Sequence, residues 1–134
     1  ALPICWANYN GGYTCGPGRK GIFRQRPVPV GAFGLVNRWG LAEMHGQLWE
    51  WCADQWHRDP VAGSAGDGSP LEGPDAELEG NQEQQYRLLR GGSWIVVPLL
   101  ARAAMRSSYL PDFLSSTVGV RPGCSSPPGS LLGS

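Results

Sequence analysis

Apolar and polar residues alternate most regularly in LWEWCADQW at 48–56, where Leu48, Glu50, Cys52 and Asp54 point one way and Trp49, Trp51 and Ala53 the other. That period of two predicts a half-buried strand. YRLLRGGSW at 86–94 reads as a core strand that stops at its glycine pair. ARAAMR at 101–106 reads as a second short strand whose small residues let neighbours approach, and TVGVRPG at 117–123 as a third that closes the sheet. GLAEMHGQ at 40–47 predicts one short helical turn ended by Gly46. Residues 1–40 carry turn signals at Asn10-Gly11-Gly12 and Gly16-Pro17-Gly18 and read as ordered irregular chain with at most a short hairpin. A long acidic Gly/Pro/Ser-rich loop runs from 58 to 85, and a Ser/Pro/Gly tail covers 123–134.

Between Trp94 and Arg121 the pattern changes. Ile95, Val96, Val97, Leu99 and Leu100 are all apolar, yet Pro98 interrupts them and would remove a ladder donor from any central strand. Adjacent apolar residues cannot share one face of a strand, so an ordinary core strand fits this stretch poorly. Glycines, prolines and arginines form a regular frame here, and the residues between them follow no secondary-structure period. Such a pattern suggests that the frame folds and the fillings recognise something. The competing reading is that the fillings are ordinary core.

Composition narrows the function. With 134 residues there is room for one domain, and 41 % apolar against 16 % charged residues indicates a globular chain. A formal net charge of zero argues against a nucleic-acid partner. The charges are segregated, with Arg19, Lys20, Arg24, Arg26 and Arg38 ahead of any acid and Asp59, Asp67, Glu72, Asp75, Glu77, Glu79 and Glu83 crowding the loop. The two groups either pair or are solvated separately. No run approaches the roughly 18 apolar residues of a membrane span. The chain opens on Ala1 rather than Met, as a processed or excised piece would. Cys5, Cys15, Cys52 and Cys124 show no CxxC spacing, which excludes the commonest zinc and thioredoxin-like patterns. A Cys5–Cys15 bridge is one option. Reduced thiols in a bacterial cytoplasm are the default, with surface display as the alternative. GPGRKG at 16–21 lacks the strand and helix of a phosphate loop and reads as a basic turn.

The segments ANYNGGYTCGPGRKG, RPVPVGAFGLVNRWGLAEMHGQLWEWCADQW, YRLLRGGSW and VGVRP resemble the formylglycine-generating enzyme (sulfatase-modifying factor) family over most of 7–122. For the fold, the resemblance implies an α+β, loop-rich, C-type lectin-like domain, of which this chain is the C-terminal half with short antiparallel strands. The family's long N-terminal half has no counterpart here. Either a separate chain or fragment completes the core or this is a reduced form; the first is expected, because exposing Trp-rich core surface costs about 25 cal/mol per Å2. Oxidase members carry a copper-binding cysteine pair after RGGSW, and the matching positions hold Val96 and Ala101. Neither offers a thiolate, so no copper and no catalysis are expected. The iron-binding histidines of ergothioneine-type oxygenase relatives lie in a separate domain, also without counterpart.

Many bacterial members are asparagine-rich after RGGSW. Placed on this chain, those asparagine positions are Ile95, Val96, Val97, Leu100, Met105, Ser107, Tyr109, Leu110, Phe113, Ser115, Ser116 and Thr117. The pattern resembles the variable proteins of diversity-generating retroelements, in which adenines of asparagine codons are mutated to diversify a ligand-binding surface. Randomising both adenines of such a codon yields Ile, Val, Leu, Ser, Tyr, Phe or Thr, but not Met, so Met105 departs from the scheme. Leu99, Ser108, Leu114 and Val120 also need another origin. With Leu99 and Ser108 added to the twelve, the expected site is a recognition surface for an unknown protein or surface ligand. Tyr109 among serines has the composition of a paratope, a rigid aromatic beside adaptable hydroxyls. The alternative function is a divergent or inactive formylglycine-generating-type oxidase or regulatory domain.

The family's structural calcium site maps to Glu43, the carbonyls of Gly46 and Leu48, and Glu50, oxygen donors that suit a hard cation. The competing reading pairs Glu50 with an arginine such as Arg90. Asp54, His57, Asp59 and His45 read as structural, and Arg102 and Arg106 as anchors of the frame.

Overall fold

The computed structural model describes residues 7–14, 16–61, 64–73 and 86–123. Its regular structure is one four-stranded sheet in the order β3-β2-β1-β4. Strand β1 is Trp49–Gln55, β2 is Arg87–Arg90, β3 is Ser107–Tyr109 and β4 is Val118–Gly119. β1 runs antiparallel to β2, and β2 antiparallel to β3.

The alternation in LWEWCADQW and the glycine stop after Arg90 predict β1 and β2 correctly. In register, Glu50 stands opposite Arg90 and Trp51 opposite Leu89, so the sheet has a charged face and an apolar face. Leu89 has no exposed surface, and Trp49 is buried on the same face. Complete burial of one leucine side chain contributes about 2 kcal/mol.

Four expectations are corrected. No α-helix occurs among the described residues, so the architecture is almost entirely β rather than α+β. The expected turn at 40–47 fails because Glu43, Gly46 and Gln47 all take positive φ, at 54°, 76° and 70°, which a right-handed helix cannot contain. Residues 101–106 do not form a strand; Ala101 ends a 3-10 turn, Pro98–Ala101, and the strand begins afterwards at Ser107. Finally, β4 joins β1 in parallel, with Trp49 opposite Val118 and Glu50 opposite Gly119, whereas only antiparallel pairing was expected.

A buried polar junction fastens the irregular N-terminal chain to this sheet. Asn8 is 1 % exposed. Its amide donates to the Gln47 side-chain oxygen at 2.8 Å and to the Arg26 carbonyl at 2.9 Å. Gln47 in turn accepts from the Val28 N–H and donates back to the Val28 carbonyl. This closed set of bonds holds Gln47 in its left-handed backbone conformation, a cost of order 1–3 kcal/mol that the surroundings offset. Gly46 donates to the Gly91 carbonyl at 2.7 Å, which brings the entrance of β1 against the exit of β2. A Cβ on Gly46 would run into the Asn8 carbonyl, so no other residue fits. The expected Cys5–Cys15 bridge, residues 74–85 of the acidic loop and the tail beyond Gly123 lie outside the described residues.

Candidate functional site

The 95–117 segment follows the loop after β2, rejoins the sheet as β3 at Ser107–Tyr109 and ends beside β4. Its path is held mainly by backbone groups. Val96 accepts from the Asn10 N–H at 2.9 Å, Leu100 donates to Val97, Phe113 donates to Leu110, and Val118 donates to Ser115. Pro98 opens the 3-10 turn, where its missing N–H has no intrahelical partner to lose. Two anchors come from the frame: the Trp94 indole donates to the Ser116 carbonyl at 3.2 Å, and Arg90 donates to the Met105 carbonyl at 3.1 Å.

Four of the fourteen candidate side chains are exposed and ten are half-buried. Ile95, Leu99 and Tyr109 are 48 %, 51 % and 39 % exposed. Ser116 is exposed too, and Val96, Val97, Leu100, Met105, Ser107, Ser108, Leu110, Phe113, Ser115 and Thr117 are half-buried. None of the fourteen is fully buried.

At the outer strand of the sheet, the Tyr109 and Phe113 rings stack with centroids 4.0 Å apart and planes 7° from parallel. They line an open cavity of about 530 Å3 together with Tyr86, Ser108, Leu110, Asp112 and Leu114. The sequence pattern left Leu114 and Tyr86 outside the site, although Leu114 is 93 % exposed beside the stack. No period could have placed Tyr86 there, since pairing of Arg87 with Tyr109 across β2 and β3 is what brings it near.

Ala101 is buried, and a Cβ on Gly92 would lie 2.8 Å from its Cα. Val96 is half-buried. At neither position is there a donor atom for copper. The described free cysteine is Cys52, on β1, whose thiol is pushed above the ordinary value of 9.0 by burial and by the nearby Asp54 and Glu50 charges, against the opposing pull of Arg90.

The residues considered for calcium are differently engaged. Glu50 takes two hydrogen bonds from Arg121, at 2.6 and 2.8 Å, rather than pairing with Arg90. Glu43 accepts from the Gly31 N–H at 3.1 Å. The Arg121 guanidinium is itself held in its charged form by hydrogen bonding to Glu50 and by the Glu50 and Glu43 charges. A calcium ion at Glu43, Gly46, Leu48 and Glu50 would have to displace that guanidinium, so the donors as arranged do not fit one. No group of three or more His, Cys, Asp or Glu side chains suited to a metal occurs among the described residues.

Several polar residues act structurally. The His45 ring bonds the Ala101 carbonyl at 2.9 Å, and Asp54 accepts from the Leu71 N–H at 3.1 Å. Asp59 accepts from the Val61 N–H at 2.8 Å, and His57 is buried. Arg106 anchors to the His57 and Arg58 carbonyls and lies over the Trp56 ring at 4.4 Å. Arg102 is exposed.

Residues 5–122 match the family model described as the sulfatase-modifying factor enzyme 1-like domain. The serine/threonine-protein kinase pkn1 of Chlamydia caviae is 31 % identical over 113 residues, covering 81 % of this chain and 17 % of that protein. The inactive C-alpha-formylglycine-generating enzyme 2 of Bos taurus is 31 % identical over 110 residues, covering 77 % of this chain and 29 % of that protein. Among solved structures, Treponema denticola variable protein 1 aligns with a TM-score of 0.45 and 24 % identity over 87 % of this chain and 34 % of that one. The chain thus spans less than a third of the length of these two curated relatives. No described helix is long and apolar enough to cross a membrane.

Proposed function

The chain belongs to the sulfatase-modifying factor enzyme 1-like family, and from that premise we propose that it is a non-oxidising member that works by binding. The observation that carries this reading is the pair Val96 and Ala101, at the positions where the resemblance puts the copper-binding cysteines. A valine and a buried alanine supply neither a soft metal ligand nor a redox couple. The curated inactive relative from Bos taurus is consistent with a family that includes members without the oxidation. The recognition surface is the 95–117 segment. Burying a large apolar side chain against a partner contributes about 1.5–3 kcal/mol, so a few residues such as Ile95, Leu99, Tyr109 and Phe113 suffice for micromolar binding after association costs. Exposure of Val30, Val36 and Trp39, at 94 %, 61 % and 68 %, supports the further expectation that another portion of the domain covers the N-terminal side.

A copper-dependent oxidation assay on a sulfatase-type cysteine peptide tests the reading. No formylglycine is expected, and turnover by the copper-loaded protein would sink it.

A second reading is favoured by one specific observation, the residue types at the asparagine positions. Eleven of the twelve are residue types that randomising both adenines of an asparagine codon can yield, Met105 being the exception. On this reading the protein is a retroelement variable protein whose surface differs between sibling copies. Sequencing the flanking DNA decides it. A reverse transcriptase with a template repeat matching the 95–117 codons is expected, and invariant codons across sibling copies would contradict it.

A further inference from the structure

A second cleft opens on the charged face of the sheet, away from the Tyr109–Phe113 stack. It has a volume of about 450 Å3, and its lining includes Cys52 and Asp54 from β1, Leu88 and Arg90 from β2, Arg106 and Leu71. That volume is within the range of small-molecule sites. The two arginines give the cleft its character. Arg90 donates to the Met105 carbonyl, and Arg106 to the His57 and Arg58 carbonyls. Those acceptors are neutral, so they orient the guanidinium groups without cancelling their charge. Among the described residues neither arginine has a carboxylate partner, because Glu50, opposite Arg90 in register, is taken by Arg121. Asp54 is the one acid in the lining, and one of its oxygens accepts from the Leu71 N–H.

We propose that this cleft binds a small organic carboxylate, with its charge on Arg90 and Arg106 and its apolar body against Leu71 and Leu88. The charge count selects the monoanion. Two guanidinium groups and one carboxylate leave a single uncompensated positive charge, whereas a dianion would also meet repulsion from Asp54. The donor fork of a guanidinium matches the geometry of a carboxylate. The apolar walls give affinity to a carbon chain that inorganic anions lack. The cleft borrows Ala104 and Arg106 from the 95–117 segment but none of its fourteen candidate recognition side chains, and it does not depend on the function proposed for them.

Cys52 in the lining reports occupancy. The whole chain is treated with iodoacetamide in the presence of 10 mM hexanoate, hexanamide or inorganic phosphate (concentrations on the order used for weak ligands). Modification of Cys52 is then followed by peptide mapping. Hexanoate is expected to slow it about fivefold or more, with hexanamide and phosphate changing it less than about twofold. Ala104→Glu, at an exposed position in the same lining, supplies a competing internal carboxylate and is expected to abolish the protection. Arg90→Gln, checked for folding by near-ultraviolet circular dichroism, is expected to do the same. Equal protection by hexanamide would reduce the cleft to an apolar hole, and equal protection by phosphate to a general anion patch. Either result overturns the proposal, as does an absence of protection by hexanoate, or protection that survives both substitutions.

Discussion

The corner where Gly46 meets Gly91 and Gly92 and the 95–117 segment that leaves it are close in sequence but opposite in construction. At the corner, Asn8, Leu89 and Ser93 are at most 1 % exposed, and backbone hydrogen bonds as short as 2.7 Å join three stretches of chain. No space remains even for a methyl group on Gly46 or Gly92. In the segment, none of the fourteen candidate side chains is buried, although the backbone is tied down at Val96, Val97, Leu110 and Ser115. The difference separates two kinds of constraint. At the corner, side-chain identity determines whether the chain can close. Along the segment, backbone bonds fix the path while the side chains stay exposed or half-buried.

Substitutions grade this contrast. The largest loss is expected for Gly46→Ala and Gly92→Ala, each about 3 kcal/mol or more in urea unfolding, because the added Cβ meets backbone at a positive φ. A loss under about 1 kcal/mol would show that the corner yields. Leu89→Ala, which empties a fully enclosed site, should cost about 2–5 kcal/mol by the same measurement. Arg121→Gln breaks a partly exposed pair with Glu50 and should cost only about 0.5–1 kcal/mol, equally in calcium and in chelator. Calcium-dependent stabilisation of the unsubstituted protein would reverse the assignment of Arg121 as the cation held there.

Smallest is the effect of alkali through Cys52. Its thiol titrates above 9.0 in the folded chain, so the folded state disfavours the thiolate. The associated stability is present below the unfolded value and lost as pH rises through the folded one. The pH profile of Cys52 alkylation is expected to climb later than that of a thiol in an unfolded control, and coincident profiles would contradict the burial.

Much of the frame was legible in the residues themselves. Strict alternation over 48–56 marks β1, and the glycine pair after Arg90 marks the end of β2. Ile95, Leu99 and Tyr109 are exposed, and most of the other candidate residues around Pro98 are half-buried. What failed did so for physical reasons. The helical turn at 40–47 was lost to Glu43 and Gln47, whose left-handed backbones are held by side-chain bonds reaching to Gly31, Val28 and Asn8. Such distant partners leave no local trace. The strand expected at 101–106 moved to 107–109 because pairing with β2, rather than residue size, sets where β3 begins. The parallel pairing of β4 and the Arg121–Glu50 pair, 71 residues apart, are likewise products of topology.

The central claim is that the 95–117 side chains are surface held by a rigid backbone. Replacing Ile95, Val97, Leu100, Tyr109 and Phe113 together by asparagine, and following thermal unfolding by near-ultraviolet circular dichroism, tests it most directly. A cooperative transition with a total loss below about 2 kcal/mol is predicted, as for surface changes. Loss of the transition, or a deficit approaching the roughly 2–5 kcal/mol per residue of true core positions, would contradict the account.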